Sequence, residues 1–551
     1  MLQFPEMWVL ASLASGCLLA FAWPPHAGTH AVWVALVPLL LFVNGGQSPW
    51  RAFRAAWLAG FVYFLIIAYP ALSLIWWGWA QTAAEYRASW LQQHIFLWIW
   101  YPASSCFGGL GWGAWAAALV WLGRGRSPWR NLWLAPALWM IYEYAAGWIF
   151  FDFTWGAVGY MLHPYFRLRQ FASAAGIYGL GGLVVLVNAW VAHALRFGWS
   201  LAHRDRGPAG PLPLRREAAL LAGVLLALAL AFETPALTRR PGASVPGAGS
   251  SLSVAALQAE MRELTVDELK SGALDWGYEP LLRSALDGGA ELVVLPESVW
   301  LAELALDAVP TPRTLSPAVS PAQVMSYLGP KLAPRHAVLI NGFDVTEQGK
   351  MYNSMVAWDA TGMLGRYDKR RLTPFAEYPP GPFNLLAPAN RITYSAGRGN
   401  HLFSVHGIPV GGFICLEVHF PFVTRRSVRG GAQILVSTGN DAIFGDPAVA
   451  AVHHVMAAFR AIENHRPLVR AIKGGISAIF DPEGRIVGVS GLGERAVLRA
   501  GVEPSSQMTL YTRWGDWLVA LAAAMLLLIA APKAWACLRG MSAPSAPPPG
   551  R

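Results

Sequence analysis

The chain divides into long apolar runs and one long stretch of mixed polarity. Eight apolar runs stand out, at roughly 6–23, 30–44, 54–79, 93–122, 131–151, 171–195, 217–234 and 514–532. About 20 apolar residues are what an α-helix needs to cross a hydrocarbon core of roughly 30 Å. The pattern therefore predicts a polytopic α-helical membrane bundle of about eight transmembrane helices. The second run is short for a full crossing and reads as tilted or re-entrant. The fourth is long and interrupted by Gly108, Gly109 and Gly111.

Between the seventh and eighth runs the period changes. Strand-like runs fall at Ser253–Gln258, Glu291–Leu295, Ala337–Asn341, Ser354–Asp359, Ile408–Ile414, Gln433–Ser437, Leu468–Ile472 and Ser477–Phe480. Helical patterns fall at about 277–288, 320–332 and 449–465. Asp359-Ala360-Thr361-Gly362 and Asp481-Pro482-Glu483-Gly484 are turn words between strands. Strands alternating with helices, plus hairpins, predict a layered α/β domain. The expected order is a bundle of about seven helices over 1–234, a Pro/Gly/Ser-rich linker over 235–250 and an α/β domain over 251–511. A last membrane helix over 512–538 and a disordered tail over 539–551 complete it.

Composition agrees with a membrane protein carrying a soluble part. Of 551 residues 55% are hydrophobic and only 13% charged, about half the usual charged share. The formal charge of +10 would suggest nucleic acid in a soluble protein. Here no basic stretch is interleaved with aromatics for base stacking, and the arginines follow the membrane runs instead. Arg51 and Arg54 follow the second run, Arg124, Arg126 and Arg130 the fourth, and Arg196, Arg204, Arg206, Arg215 and Arg216 the sixth. Lys533, Arg539 and Arg551 follow the eighth, while loops after odd runs carry fewer cations, Arg87, Arg167 and Arg169. Positive charge stays cytoplasmic, so both termini are expected inside and the α/β domain outside. The first run lacks a basic start and another apolar run follows at once, so it reads as a span rather than a cleaved signal.

Chemistry enters at three strand ends. Ile408–Ile414 runs into Cys415 and Glu417; the strand ending at Leu295 runs into Pro296-Glu297-Ser298; and Gly365-Arg366-Tyr367-Asp368 delivers Lys369. Of the four cysteines, Cys17, Cys106 and Cys537 lie in apolar runs, so Cys415 has no partner for a disulfide within its domain. A lone thiol facing an oxidising compartment is a liability unless it is used. A thiol attacks only as thiolate, which a buried carboxylate can generate and an ammonium can complement by steadying an oxyanion. Each residue also has an ordinary reading: core cysteine, helix cap, solvated lysine. The histidines show no ligand spacing with acids, so no metal and no cofactor is expected.

The words Leu295-Pro296-Glu297-Ser298, Tyr367-Asp368-Lys369-Arg370-Arg371-Leu372-Thr373-Pro374-Phe375-Ala376-Glu377-Tyr378 and Cys415-Leu416-Glu417 resemble the nitrilase superfamily. Within it they look like the membrane-bound apolipoprotein N-acyltransferases. Leu138-Trp139, Glu143, Gly147-Trp148, Phe153-Thr154-Trp155, Gly159-Tyr160, Gly176-Ile177-Tyr178-Gly179 and Val187-Asn188 are similar to that family's membrane half. Glu143 and Asn188, polar groups in apolar runs, are functional candidates by default.

The resemblance implies an α-β-β-α sandwich and a ping-pong acyl transfer. Glu297 would be the proton acceptor, Lys369 the oxyanion partner and Cys415 the nucleophile carrying a thioester, with Glu377 and Glu417 in support. The implied partners are a phospholipid acyl donor and a diacylglyceryl-cysteine apolipoprotein acceptor, in the bacterial inner membrane, and a monomer is expected. Apolar loops at Phe375, Phe383–Leu386 and Phe420-Pro421-Phe422 would form an opening for lipid. The chain departs from the family at Leu416, where Tyr is usual, at Ile443, where Trp is usual, and at Ile472-Lys473, where Thr-Asn is usual. A divergent acyl acceptor, a membrane-tethered amidase and a non-enzymatic scaffold are the alternatives.

Overall fold

The structure is a computed structural model. It describes residues 7–69, 98, 101–123, 129–149, 155–202, 251–259, 277–297, 299–300, 303–307, 318–374, 376–378, 393–444 and 446–541. The seventh apolar run, the linker and most of the tail lie outside the described residues, as do Phe375, Phe383–Leu386 and Ser298.

Two sheets face one another. The first contains β1 (Leu252–Gln258), β2 (Leu292–Val294), β3 (Glu303–Ala305), β4 (Ala318–Val319), β5 (Val338–Glu347), β6 (Lys350–Trp358) and β7 (Met363–Asp368). The second contains β8 (Phe403–Val405), β9 (Ile408–Ile414), β10 (Ile434–Asn440), β11 (Leu468–Lys473), β12 (Ala478–Phe480) and β13 (Ile486–Val489). β14 (Ala496–Val502) returns to pair antiparallel with β1. The central strands β1–β2–β5 and β9–β10–β11 run parallel, so their carboxyl ends gather at one side of each sheet.

Alternation along each strand explains the layers. On β1, Val254 and Ala256 enter the core between the sheets, while Ala255 and Leu257 pack under the helices Glu279–Asp287 and Pro321–Leu332. On β10, Ile434 and Val436 face the other sheet, while Leu435 joins the cluster beneath Pro421–Arg429 and Pro447–Asn464. Side chains of period two bury both faces of such strands, which is why they read as unbroken apolar runs. The result is four layers, helix, sheet, sheet, helix.

The membrane half packs on the second helix layer. Met7–Ala22, Pro49–Ile67, Tyr101–Gly123, Trp129–Ile149, Ala172–Ala202 and Trp517–Met541 are its main helices. Among the described residues three are long and apolar enough to cross a membrane, Pro49–Ile67, Tyr101–Gly123 and Ala172–Arg196. The second expected run is a 3₁₀ turn, Thr29–Trp33, and a short helix, Val37–Val43, rather than one continuous helix.

That break accounts for Asn188. Its Oδ1 accepts the Leu36 N–H at 2.8 Å and its Nδ2 donates to the Val32 and Val184 carbonyls at 2.8 and 2.9 Å. Backbone groups freed inside an apolar bundle need internal partners, and Asn188 supplies them. Glu143 does the same for another irregular segment, accepting the Val158 N–H at 2.8 Å ahead of the turn Val158–Leu162. Both polar groups, functional candidates on the sequence, are structural ties here.

Ties also cross between the halves. Arg460 donates to Tyr160 Oη at 3.1 Å and pairs with Glu463 at 3.0 Å, both groups fully buried. Arg169 and Gln170 donate to the carbonyls of Gly484 and Glu483 at 2.9 Å each.

Candidate active site

The carboxyl ends of β2, β7, β9, β10 and β11 converge on one cluster. β9 stops at Ile414 and the chain turns sharply into the 3₁₀ turn Cys415–His419. Cys415 has φ +50°, in the left-handed region that side chains rarely adopt. Such strain persists only where the surroundings over-determine it, and it concentrates at functional sites. The thiol is 6% exposed, and the Asn440 N–H donates toward it.

Glu417 fixes that turn. Its Oε2 accepts the Ile414 N–H at 2.8 Å and its Oε1 accepts the N–H groups of Arg370 and Arg371 at 2.8 and 3.2 Å. Tyr367 Oη donates to the same carboxylate at 2.9 Å. Burial pushes Glu417 above the ordinary carboxylate range, with the Ile414, Arg370 and Lys369 groups opposing. Glu417 thus clamps the nucleophile turn to the segment that follows β7. Glu417→Gln puts an amide against N–H donors that need an acceptor. It is expected to cost about 3 kcal/mol of stability, read as a fall in the thermal unfolding midpoint, with reduced activity at permissive temperature.

Lys369 follows β7 directly and is 1% exposed. Its Nζ donates to Glu377 Oε1 at 2.8 Å and to Thr373 Oγ1 at 3.0 Å, and Glu377 Oε2 accepts the Thr373 N–H at 2.6 Å. Burial by itself would lower Lys369, but Glu377, Cys415 and Glu297 hold it above the usual lysine range. It is an ammonium at any working pH.

Glu297 follows β2. Its N–H donates to the Gly439 carbonyl at 3.4 Å, and its Oε1 accepts Asn353 Nδ2 at 2.5 Å. Asn353 also donates to Glu377 Oε1 at 2.6 Å, so one amide bridges the two carboxylates. Oε2 of Glu297 is sealed from solvent with no hydrogen-bond partner among the described residues. Burial pushes Glu297 upward, and Lys369 opposes it. Gly342 on β5 makes this approach feasible: a Cβ there would lie 2.6 Å from Glu297 Cα.

The structure therefore brings Glu297, Lys369 and Cys415 into one enclosed cluster, with Glu377 touching the lysine and Glu417 one turn removed. The thiol feels both other groups: burial and then Glu297 push it up, while Lys369 pulls it down. At neutral pH it rests as a protonated thiol beside a carboxylate of raised basicity. Such a pair can pass one proton when an electrophile arrives, and a fixed ammonium lies beside it.

Other parts have no role in the sequence reading. Asn353 is one. Another is a buried chain running from Arg470 Nη2 to Asp441 Oδ2 at 3.1 Å, from Asp441 Oδ1 to His453 Nδ1 at 2.8 Å, and from His453 Nε2 to His419 Nε2 at 3.0 Å. Burial would raise Asp441, but His453 and Arg470 hold it below its usual value, and burial lowers His419. The Trp155 ring stacks on His419 at 5.7 Å, so this chain joins the nucleophile turn to the membrane half. Among the described residues no group of three His, Cys, Asp or Glu side chains is placed to hold a metal ion.

The expected lipid opening is packed where it is described. Phe420 and Pro421 are buried and Phe422 half-buried. Trp148, near the end of the helix Trp129–Ile149 and 47% exposed, stacks on Phe422 at 5.4 Å. The Arg371 guanidinium lies 5.1, 5.7 and 5.0 Å from the rings of Trp148, Phe420 and Phe422. Rings of both halves meet around one cation, directly beside the nucleophile turn.

Two family models match the chain. The carbon-nitrogen hydrolase family matches residues 253–508, and the apolipoprotein N-acyltransferase N-terminal domain matches residues 15–190. The chain is similar to an apolipoprotein N-acyltransferase of Gloeobacter violaceus, 32% identical over 94% of this chain and 93% of that one. It is also similar to that of Geobacter metallireducens, 29% identical over 97% and 94%. Among solved structures, an amidase from Nesterenkonia sp. aligns with 48% of this chain and 95% of its own, at 19% identity and a TM-score of 0.35. A relative of 32% identity matched almost end to end is decisive: the chain belongs to the apolipoprotein N-acyltransferase family, with a nitrilase-like domain of α/β fold and several apolar helices.

Proposed function

We propose that this protein transfers an acyl chain from a membrane phospholipid to the N-terminal amine of a diacylglyceryl-cysteine lipoprotein, by a ping-pong reaction through a thioester on Cys415. The observation that carries the reading is the enclosed cluster at the strand ends. A strained thiol lies beside a carboxylate with one unpartnered oxygen and an ammonium fixed by Glu377.

In the first step Glu297 takes the thiol proton as sulfur attacks an ester carbonyl of the phospholipid. The tetrahedral oxyanion is met by Lys369 and by backbone N–H at the nucleophile turn. The intermediate collapses, Glu297 returns the proton to the departing alkoxide, and a lysophospholipid leaves. In the second step the lipoprotein amine attacks the thioester, Glu297 accepts its proton, and the Cys415 thiol is regenerated. The net reaction exchanges an ester for an amide, so atoms and protons balance without metal or cofactor. Glu377 acts through Lys369, and Glu417 acts through the geometry of the turn.

The bundle supports this reading because both substrates carry acyl chains, each methylene costing about 0.8 kcal/mol to withdraw from the bilayer. Docking of the membrane half through Trp148 and Trp155 against the nucleophile turn suits an acceptor and donor delivered from the membrane. On the arginine pattern the protein is an inner-membrane, multi-pass protein with about eight crossings, both termini cytoplasmic and the catalytic domain periplasmic; the reading takes it as a monomer. In this reading residues 1–234 form the bundle, 251–511 the catalytic domain and 512–538 the final crossing.

The test supplies purified protein with a phospholipid labelled in its acyl chains and a synthetic diacylated lipopeptide. Label on the lipopeptide amine is the expected outcome. Label appearing only as free fatty acid, with or without lipopeptide, would instead identify a membrane-tethered hydrolase.

A further inference from the structure

Two pieces of backbone enclose the Cys415 thiol. One is its own turn, Cys415–His419, which Glu417 clamps at its start. The other is the end of β10, residues 439–441. A Cβ on Gly439 would lie 3.2 Å from Cys415 Cα, the Gly439 carbonyl accepts the Glu297 N–H at 3.4 Å, and the Asn440 N–H donates toward the sulfur. The reaction above assigns no group that ties the far ends of these pieces, His419 and Asp441. His453 lies between them, on the helix Pro447–Asn464 and 1% exposed. Its Nδ1 meets Asp441 Oδ1 at 2.8 Å and its Nε2 meets His419 Nε2 at 3.0 Å.

Hydrogen-bond chemistry gives this bridge a direction. Arg470 Nη2 donates to Asp441 Oδ2 at 3.1 Å, so the carboxylate is already paired with a cation. An ionised carboxylate only accepts, so His453 carries a proton on Nδ1. The neutral ring then accepts at Nε2, and His419 donates. Rings box the imidazole on three sides: His419 at 5.0 Å, Phe444 at 5.5 Å and Trp155 at 6.4 Å, each nearly edge-on. A phenyl ring would fill this volume, and Asp441 keeps Arg470 without His453. Neither packing nor charge balance calls for a histidine. Two bonds leaving one ring in different directions do.

Resting on the reading of Cys415 as the nucleophile, we propose that His453 is a positioning residue for the acyl transfer: through Asp441 it fixes the Asn440 N–H against the sulfur, and through His419 it fixes the turn that carries the thiol. Both levers are short. Asp441 follows Asn440 directly, and His419 closes the same 3₁₀ turn that Cys415 opens. The oxyanion arises beside that sulfur, so a shift of either piece weakens contacts made in the transition state. Contacts to the bound lipid chains are not altered. The loss therefore falls on the maximal rate and not on lipid affinity.

The experiment measures single-turnover thioester formation on full-length protein in vesicles, against the concentration of labelled phospholipid. It compares the parent with three variants. His453→Phe fills the volume and makes neither bond. His453→Asn puts an amide N–H near the Nδ1 position and keeps the Asp441 bond alone. His453→Gln reaches the Nε2 position and keeps the His419 bond alone. His453→Phe is expected to lower the maximal rate about 100-fold, the cost of a misplacement of about 1 Å. Half-saturating phospholipid should stay within about twofold of the parent. His453→Asn and His453→Gln should each regain about tenfold of that loss. A His453→Phe rate within about threefold of the parent, a loss confined to half-saturation, or Asn and Gln variants no faster than His453→Phe overturns the inference. Should His453→Phe not fold, His419→Phe keeps a ring against Trp155 and removes the second bond alone. It should then match His453→Asn, and a parent-like rate overturns the inference. A parent that forms no thioester defeats the reading of Cys415 itself. A parent that forms it, unaffected by any of these substitutions, defeats only the role of His453.

Discussion

Glu297→Gln is expected to fold and reach the membrane while forming thioester about 1,000-fold more slowly, within the range by which a positioned base accelerates proton transfer. Glutamine keeps the shape of the side chain. Its carbonyl still accepts from Asn353 Nδ2, now received by Glu297 Oε1 at 2.5 Å. What is lost is the acceptor for the Cys415 proton. That loss matters because burial holds the thiol well above its ordinary value, so few thiolates form unaided. The wild-type profile should also show its acid limb above the ordinary glutamate range near 4.3. The base works only when ionised, and burial raises Glu297. Stopped-time assays of acyl-enzyme formation across pH check both points. A Gln variant within tenfold of wild type contradicts the assignment of the base.

Lys369→Met carries the second large effect, because the lysine holds two tasks. It is the cation nearest a developing oxyanion, and loss of one such donor typically costs 100- to 1,000-fold. It also neutralises Glu377 and lowers Glu297. Removing it leaves a buried carboxylate without its partner, at about 3–5 kcal/mol. The variant should thus be both slow, by at least about 100-fold, and thermally weaker. Lys369→Met combined with Glu377→Met removes both buried charges. The double variant should regain much of the stability and none of the activity, which distinguishes catalysis from fold support.

Much of this was legible before any coordinates. The strands that bury both faces, β1, β2, β5, β6 and β9 to β12, announce themselves as apolar runs because both faces need apolar side chains. β3, β4 and β8 are two or three residues long, β13 is largely exposed and β14 mostly half-buried, so neither length nor pattern marks them. Glu297, Lys369 and Cys415 were visible because each ends a strand within a distinctive local word. Asn353 was not: a single Asn inside β6 looks like any polar strand position until Glu297 and Glu377 close on it. The Asp441–His453–His419 chain joins residues 12 and 34 positions apart and has no local signature. Asn188 and Glu143 gain a structural explanation from the coordinates. In an apolar bundle a polar side chain signals an unmet need, and here the need was backbone groups at two breaks in helical structure. Lys473, unusual at its place in the family pattern, is buried at the end of β11.

One measurement bears on the centre of the account. Protein incubated in vesicles with an alkyne-bearing phospholipid, without acceptor, is digested and mapped by mass spectrometry. The account predicts a single acyl adduct on the peptide carrying Cys415, released by neutral hydroxylamine, chased by added lipopeptide and absent from Cys415→Ala. An adduct that persists in Cys415→Ala, or label that reaches the lipopeptide with no acyl-enzyme formed, would contradict it.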